Sequence, residues 1–277
     1  MRVDAHVHFW GPRELAAYEW MTPEMDAIRR PFAPDDLRPQ LEANGFDRVV
    51  VVQTYSSVDE TRAFLELAER TDLVAGVVGW VDLTSPDVAE TLAELRGGPL
   101  VGIRHQVHDE PDPEWLLRDD VRRGLAALQQ AGLTYDILVK TPELPAALDA
   151  ARRFPDLPMV IDHIAKPPIA SGAREPWAER MAPFAELEHV RCKVSGLVTE
   201  ADWESWTVDD LRPYVQRVAD WFGADRLLFG SDWPVCTLAA SFDEVVRACE
   251  DSLGGLGRSA RDLIFGANAI SFYQLGG

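Results

Sequence analysis

Two histidines one residue apart, His6 and His8, end the first run of the chain, Val3-Asp4-Ala5-His6-Val7-His8. Apolar and polar residues alternate there with the period of a β-strand. That spacing turns both imidazoles to one face, within reach of a shared metal ion or substrate. Other strand-like runs end in ionisable groups too. Ile103-Arg104-His105-Gln106 closes a fourth, Ile161-Asp162-His163 a sixth with Lys166 three residues on, and Gly230-Ser231-Asp232-Trp233 an eighth. Such a set is equipped for hydrolysis. An ionised Asp232 takes a proton from water and passes it to a leaving oxygen. A divalent ion on His6 and His8 would lower the pKa of its bound water towards ~7. Without an ion, His6, His8, His163 and Arg104 would surround a developing oxyanion as hydrogen-bonding groups. The residues themselves leave both routes open.

Each member also has an ordinary structural use. A lone strand-end histidine is commonly a hydrogen-bonded core residue, an Asp after a strand caps a helix, and Arg104 suits an ion pair. Their joint occurrence at one end of several strands is what singles them out. His189 precedes its strand, at the opposite end, and reads as structural; His108 reads as a loop residue.

The elements that must carry these groups are legible as a repeating pattern. Strands are expected over 3–8, 49–53, 74–81, 101–107, 135–139, 159–163, 191–195 and 227–232. Several are continuous apolar runs, as in parallel strands buried on both faces. Helices are expected between them over 34–43, 60–70, 87–95, 113–130, 144–154, 177–187 and 211–222. Pro and Asp open several of these, and Gly45, Gly132 and Gly223 fit their ends. Eight strands alternating with helices in this length predict a (β/α)8 TIM barrel, with a doubly wound open sheet as the alternative. One domain over 1–277 is expected. Two long connections, 9–32 and 196–210, leave strand carboxyl ends, where barrel enzymes build sites and lids, so the barrel is expected to be distorted by lid loops on that face.

The 277 residues are 47% hydrophobic, enough for a large core, and carry a net charge of −19. An acidic surface repels nucleic acid and anionic membrane, so neither is an expected partner. Cys192, Cys236 and Cys249 form no C-x-x-C pair, and neither a leader nor a membrane-length apolar run is visible; a cytoplasmic protein is expected. Serine-hydrolase elbows, phosphate loops and H-E-x-x-H are absent from the sequence.

The run from Val3 to Trp10, Gly102-Ile103-Arg104-His105-Gln106, Ile161-Asp162-His163 with Lys166-Pro167-Pro168, and Gly230-Ser231-Asp232-Trp233-Pro234 together resemble the amidohydrolase superfamily. Lys193-Val194-Ser195-Gly196 with Asp202-Trp203 is similar to its sugar-lactonase branch, and the likeness spans the chain. The resemblance implies hydrolysis of a cyclic sugar ester, of the L-fuconolactone or L-rhamnonolactone kind. Asp232, His163, His6 and His8 would be catalytic. One divalent ion, with zinc expected, would rest on His6 and His8, joined by Asp232 or His163; a metal-free route is the alternative. Two-metal members place a carboxylated Lys on strand four and a His on strand five. This chain has Arg104 on the fourth run and no His on the fifth, which argues against two metals.

Substrate contacts are expected from Trp10, Trp80 and Trp233, set against a sugar ring. Arg104 and Gln106 share a strand face and would bond hydroxyls, and Lys166 a carbonyl or hydroxyl. His105 is counted with them, although alternation turns it outward unless the strand ends there. Rival readings are a decarboxylase of an unsaturated or aromatic acid, a dicarboxylate (pyrone-dicarboxylate-like) lactone hydrolase, and a non-catalytic barrel. The dicarboxylate would want several arginines at the mouth, and only Arg104 is found.

Overall fold

The structure is a computed structural model describing residues 1–276. Eight parallel strands form one sheet in sequential order: β1 (Val3–Val7), β2 (Arg48–Val52), β3 (Val74–Gly79), β4 (Leu100–Gln106), β5 (Thr134–Leu138), β6 (Met159–Ile161), β7 (Val190–Val194) and β8 (Leu227–Phe229). The ring closes where β1 meets the segment after β8. Val7 bridges to Trp233, His8 N donates to Trp233 O at 2.7 Å, and Asp232 N donates to His6 O at 2.9 Å. Asp4 adds a side-chain staple, its Oδ1 accepting from Ser231 N at 2.9 Å and His6 N at 3.1 Å. The expected barrel is therefore the observed one.

The helix Pro34–Ala43 has the expected bounds, because Pro34 opens it and the Asp36 carboxylate caps Ala33 N at 2.8 Å. Other expected helices are split. The 113–130 segment becomes a turn at Trp115–Leu117 and a helix at Asp119–Ala131, because Arg118 between them is extended (ψ 140°). The 177–187 segment is helical only over Trp177–Met181 before a 3-10 turn that contains Pro183. A helix missed in the sequence, Phe242–Leu253, follows the last strand, started by the reciprocal Ser241–Glu244 cap. The chain end then plugs the barrel floor. Ala269, Phe272, Tyr273 and Leu275 pack against Val50, Val78, Val160 and Leu228.

Candidate active site

The strand ends deliver their side chains by irregular backbone. The β1–β2 register shifts between Asp4 and Val7, which breaks the strict alternation read from the sequence. β6 stops at Ile161, earlier than expected, and enters a left-handed turn. His163, Ile164, Ala165 and Lys166 have φ of 53°, 46°, 59° and 47°. Left-handed L-residues cost ~1–2 kcal/mol each, so the surrounding fold must hold this turn; Trp177 Nε1 donates to Ile164 O at 2.8 Å. The turn brings both His163 and Lys166 to the cavity wall. Asp232 is likewise left-handed, at φ 59°. Gly230 lets β8 approach β1, since a Cβ there would sit 2.6 Å from the His6 Cβ.

Beneath the mouth lies a buried ionic network. Lys193 Nζ donates to Asp136 Oδ2 at 2.6 Å and pairs with Asp162 Oδ1 at 2.9 Å. It also stands 3.2 Å from His6 Nδ1. Arg104 donates to Asp162 Oδ2 at 3.0 Å, to His6 Nε2 at 3.1 Å and to the Gln53 carbonyl. Two cations thus balance two carboxylates, which is how a dry interior tolerates them. Burial keeps His6 neutral, its pKa well below normal. Burial alone would raise the Asp162 carboxyl; Lys193, His6 and Arg104 outweigh it and hold it well below the usual range. Burial also pushes Asp136 up to about 6, against the pull of Lys193.

Above this network His8, His6 and Asp232 converge. The His8 Nδ1 must carry the proton, because its partner at 2.7 Å is the Val52 carbonyl. His8 Nε2 faces Asp232 Oδ1 at 3.3 Å, and His6 Nε2 lies 3.8 Å from the same oxygen. Burial raises Asp232, but His163, His8 and Lys166 outweigh it, so its carboxyl ionises below the ordinary range. Acceptors aimed at one another fit a divalent cation. His6, His8 and Asp232 form one such group, and His6, Asp162 and His163 a second.

The cavity over this cluster has a volume of about 300 Å³. Of the expected residues, His8, Arg104, Gln106, His163, Lys166 and Asp232 line it, with His6 buried below. Lys166 is paired with Glu200 at 2.6 Å, and the Gln106 amide is engaged by Gln53 and the Thr54 carbonyl. Four expected contacts lie elsewhere. Trp10 is buried among Tyr18, Trp20 and Phe32, with Nε1 bonded to Arg30 O, because the 9–32 connection packs on itself. Trp233 is covered by Phe9 and Phe32. His105 points out of the barrel, stacked on Trp115, and Trp80 donates to its Nδ1. The wall instead carries Trp20, Trp203, His108 and Lys140, and Lys193 belongs to the network below; none of these five was among the expected site residues. Lys193 had a signal, a lysine inside an apolar strand. His189 is bonded to Ala151 O, away from the site.

A parallel eight-stranded barrel with strand-end His, His and Asp groups at its mouth defines a class of hydrolases, and residues 3–275 match the amidohydrolase family, to which this chain belongs. It is similar to the L-fucono-1,5-lactonases of Burkholderia ambifaria (44% identical, covering 99% of this chain and 96% of that protein) and Burkholderia multivorans (41%, with the same coverage). A crystal structure of an amidohydrolase from Burkholderia multivorans with bound zinc superposes over the whole of both chains, with TM-score 0.96 and 39% identity. Among the described residues, no helix is long and apolar enough to cross a membrane.

Proposed function

We propose that the chain opens a sugar lactone, an aldonolactone such as L-fuconolactone or L-rhamnonolactone, to its aldonic acid. The observation that carries this reading is the Asp232 carboxylate lining the cavity, its Oδ1 3.3 Å from His8 Nε2. Asp232 takes a proton from water as the water oxygen bonds to the lactone carbonyl carbon. The tetrahedral adduct then breaks its bond to the ring oxygen, and the proton from Asp232 neutralises the departing alkoxide. His163, fixed by Ser195 at 2.9 Å, lines the same floor and orients the reacting groups. A divalent ion, zinc first among candidates, would be held by His6, His8 and Asp232 and would supply Lewis acidity. The 44% and 41% identical relatives support the sugar-lactone class.

Charge supports a neutral substrate. Arg104 turns its guanidinium inward to Asp162 and Gln53, and Lys166 is spent on Glu200. A dicarboxylate would find few free cations. Trp20 and Trp203 on the wall offer apolar faces to a sugar ring. No nucleic acid or membrane partner is part of this reading, and a cytoplasmic setting suits the three buried, free cysteines. A panel of aldonolactones followed by acid release tests it. Opening of L-fuconolactone or L-rhamnonolactone well above the spontaneous rate is expected. Failure with every lactone, alongside carbon dioxide release from an unsaturated or aromatic acid, would replace it with the decarboxylase reading.

A further inference from the structure

The geometry points to Arg104 as a built-in cation that competes with a divalent metal for His6, and so sets the affinity of the His6–His8–Asp232 site. This inference rests on the reading of those three residues as a metal site. Zinc binds imidazole through a nitrogen lone pair, at roughly 2.0–2.1 Å. Of the three ligand atoms, His8 Nε2 meets no cation, since Nδ1 anchors the ring to Val52 O at 2.7 Å and turns Nε2 to Asp232. Asp232 Oδ1 is a carboxylate oxygen aimed at it. His6 Nε2 differs from both, because Arg104 Nη1 donates to it at 3.1 Å. One lone pair cannot serve a guanidinium N–H and a metal together. Two positive charges beside one buried nitrogen would also repel.

Arg104 can yield without losing its place. Asp162 Oδ2 at 3.0 Å and the carbonyl and side-chain oxygens of Gln53 hold it independently of His6. On the far side of the ring, Asp162 Oδ1 lies 3.5 Å from His6 Nδ1, placed to accept its proton when Nε2 binds a metal. The His6 ring thus has two arrangements, bonded to Arg104 or bonded to a metal. The affinity of the site is its intrinsic affinity reduced by the work of parting His6 from Arg104.

The test is zinc affinity, measured on metal-free protein in competition with a chromophoric chelator. Arg104→Gln and Arg104→Met are expected to bind zinc at least tenfold more tightly than the wild type, and His8→Gln to lose it. Equal or weaker binding by both Arg104 variants overturns the competition while leaving the metal site standing. No stoichiometric zinc in any form overturns the metal site and the competition with it. Should the variants fail to fold, zinc-loaded and chelator-treated wild-type crystals decide. Arg104 must leave hydrogen-bonding distance of His6 Nε2 in the zinc form; its retention overturns the proposal. Lactone turnover is read separately and bears on the reaction alone.

Discussion

Lys193 and Asp232 divide the work of the barrel interior between them, one holding the network and the other facing the cavity. With both its carboxylate partners wholly buried, Lys193 is the counter-charge to Asp136 and Asp162. Removing one member of a buried ion pair leaves uncompensated charge and costs ~3–5 kcal/mol. Lys193→Met should lower unfolding free energy by about that much in urea titration. Lys166→Met, which breaks the partly solvated pair with Glu200, should cost no more than ~1 kcal/mol. Equal losses from both would contradict this account. For Asp232→Asn, kcat should fall by ~100-fold or more with the circular dichroism spectrum unchanged, because base is lost and shape kept. Near-normal turnover would remove Asp232 from the mechanism. At this scale His6, His8, Arg104, His163 and Asp232 were legible as strand-end groups. Trp10, Trp80 and Trp233 were misplaced because adjacency to a strand end does not tell inward from outward, whereas His105 faces outward as strand alternation requires. Packing decides that, against Phe32 for Trp10 and against Phe9 and Phe32 for Trp233.

Among the elements, the left-handed turn after β6 is the one the sequence conceals. Asp162-His163-Ile164-Ala165-Lys166 contains no glycine to advertise positive φ, so the strand was read through to His163. The turn depends on Gly196 across from it. Gly196 has φ +62°, and a Cβ there would lie 2.5 Å from His163 Nδ1. Gly196→Ala combines a backbone penalty of ~1–2 kcal/mol with displacement of the imidazole. Turnover should drop at least ~10-fold, a modest share of what misplacing a reacting group by an ångström can cost. Thermal unfolding should show the protein still folded. Unchanged activity with the expected loss of stability would mean that His163 is not a working group. By contrast the strand–helix alternation was readable as far as the last strand, because two-sided burial writes itself as apolar runs.

For the molecule as a whole, closure is the most informative join. Asp4 pins β1 to the segment after β8, and burial pushes its carboxyl up to about 7 from 3.8, although Ser231 and His6 amides oppose this. Its Oδ2 is buried with no hydrogen-bond partner, so a charge spread onto that oxygen goes uncompensated. Because the folded-state value is raised, the contribution to stability is full below about pH 4 and is lost as pH rises through 7. The difference is worth roughly 4 kcal/mol. Asp4→Asn, which keeps the accepting oxygen and cannot ionise, should therefore gain stability over the wild type between pH 5 and pH 8 in denaturant titrations. A wild type that gains on the variant over that range would contradict the assignment.

The same join bears on how the protein comes to be active. Asp4 and Ser231 stand 227 residues apart in the chain, and the groups proposed to react follow directly on each, His6 and His8 on one and Asp232 on the other. Chain near the start supplies His6 and His8, and chain near the finish supplies Asp232. A nascent polypeptide lacking its last fifth has no Asp232, however well its first strands have paired. Bringing such distant segments together carries a large loop-closure entropy and belongs late in folding. Turnover, followed during refolding, is thus a clock for the moment the ring shuts.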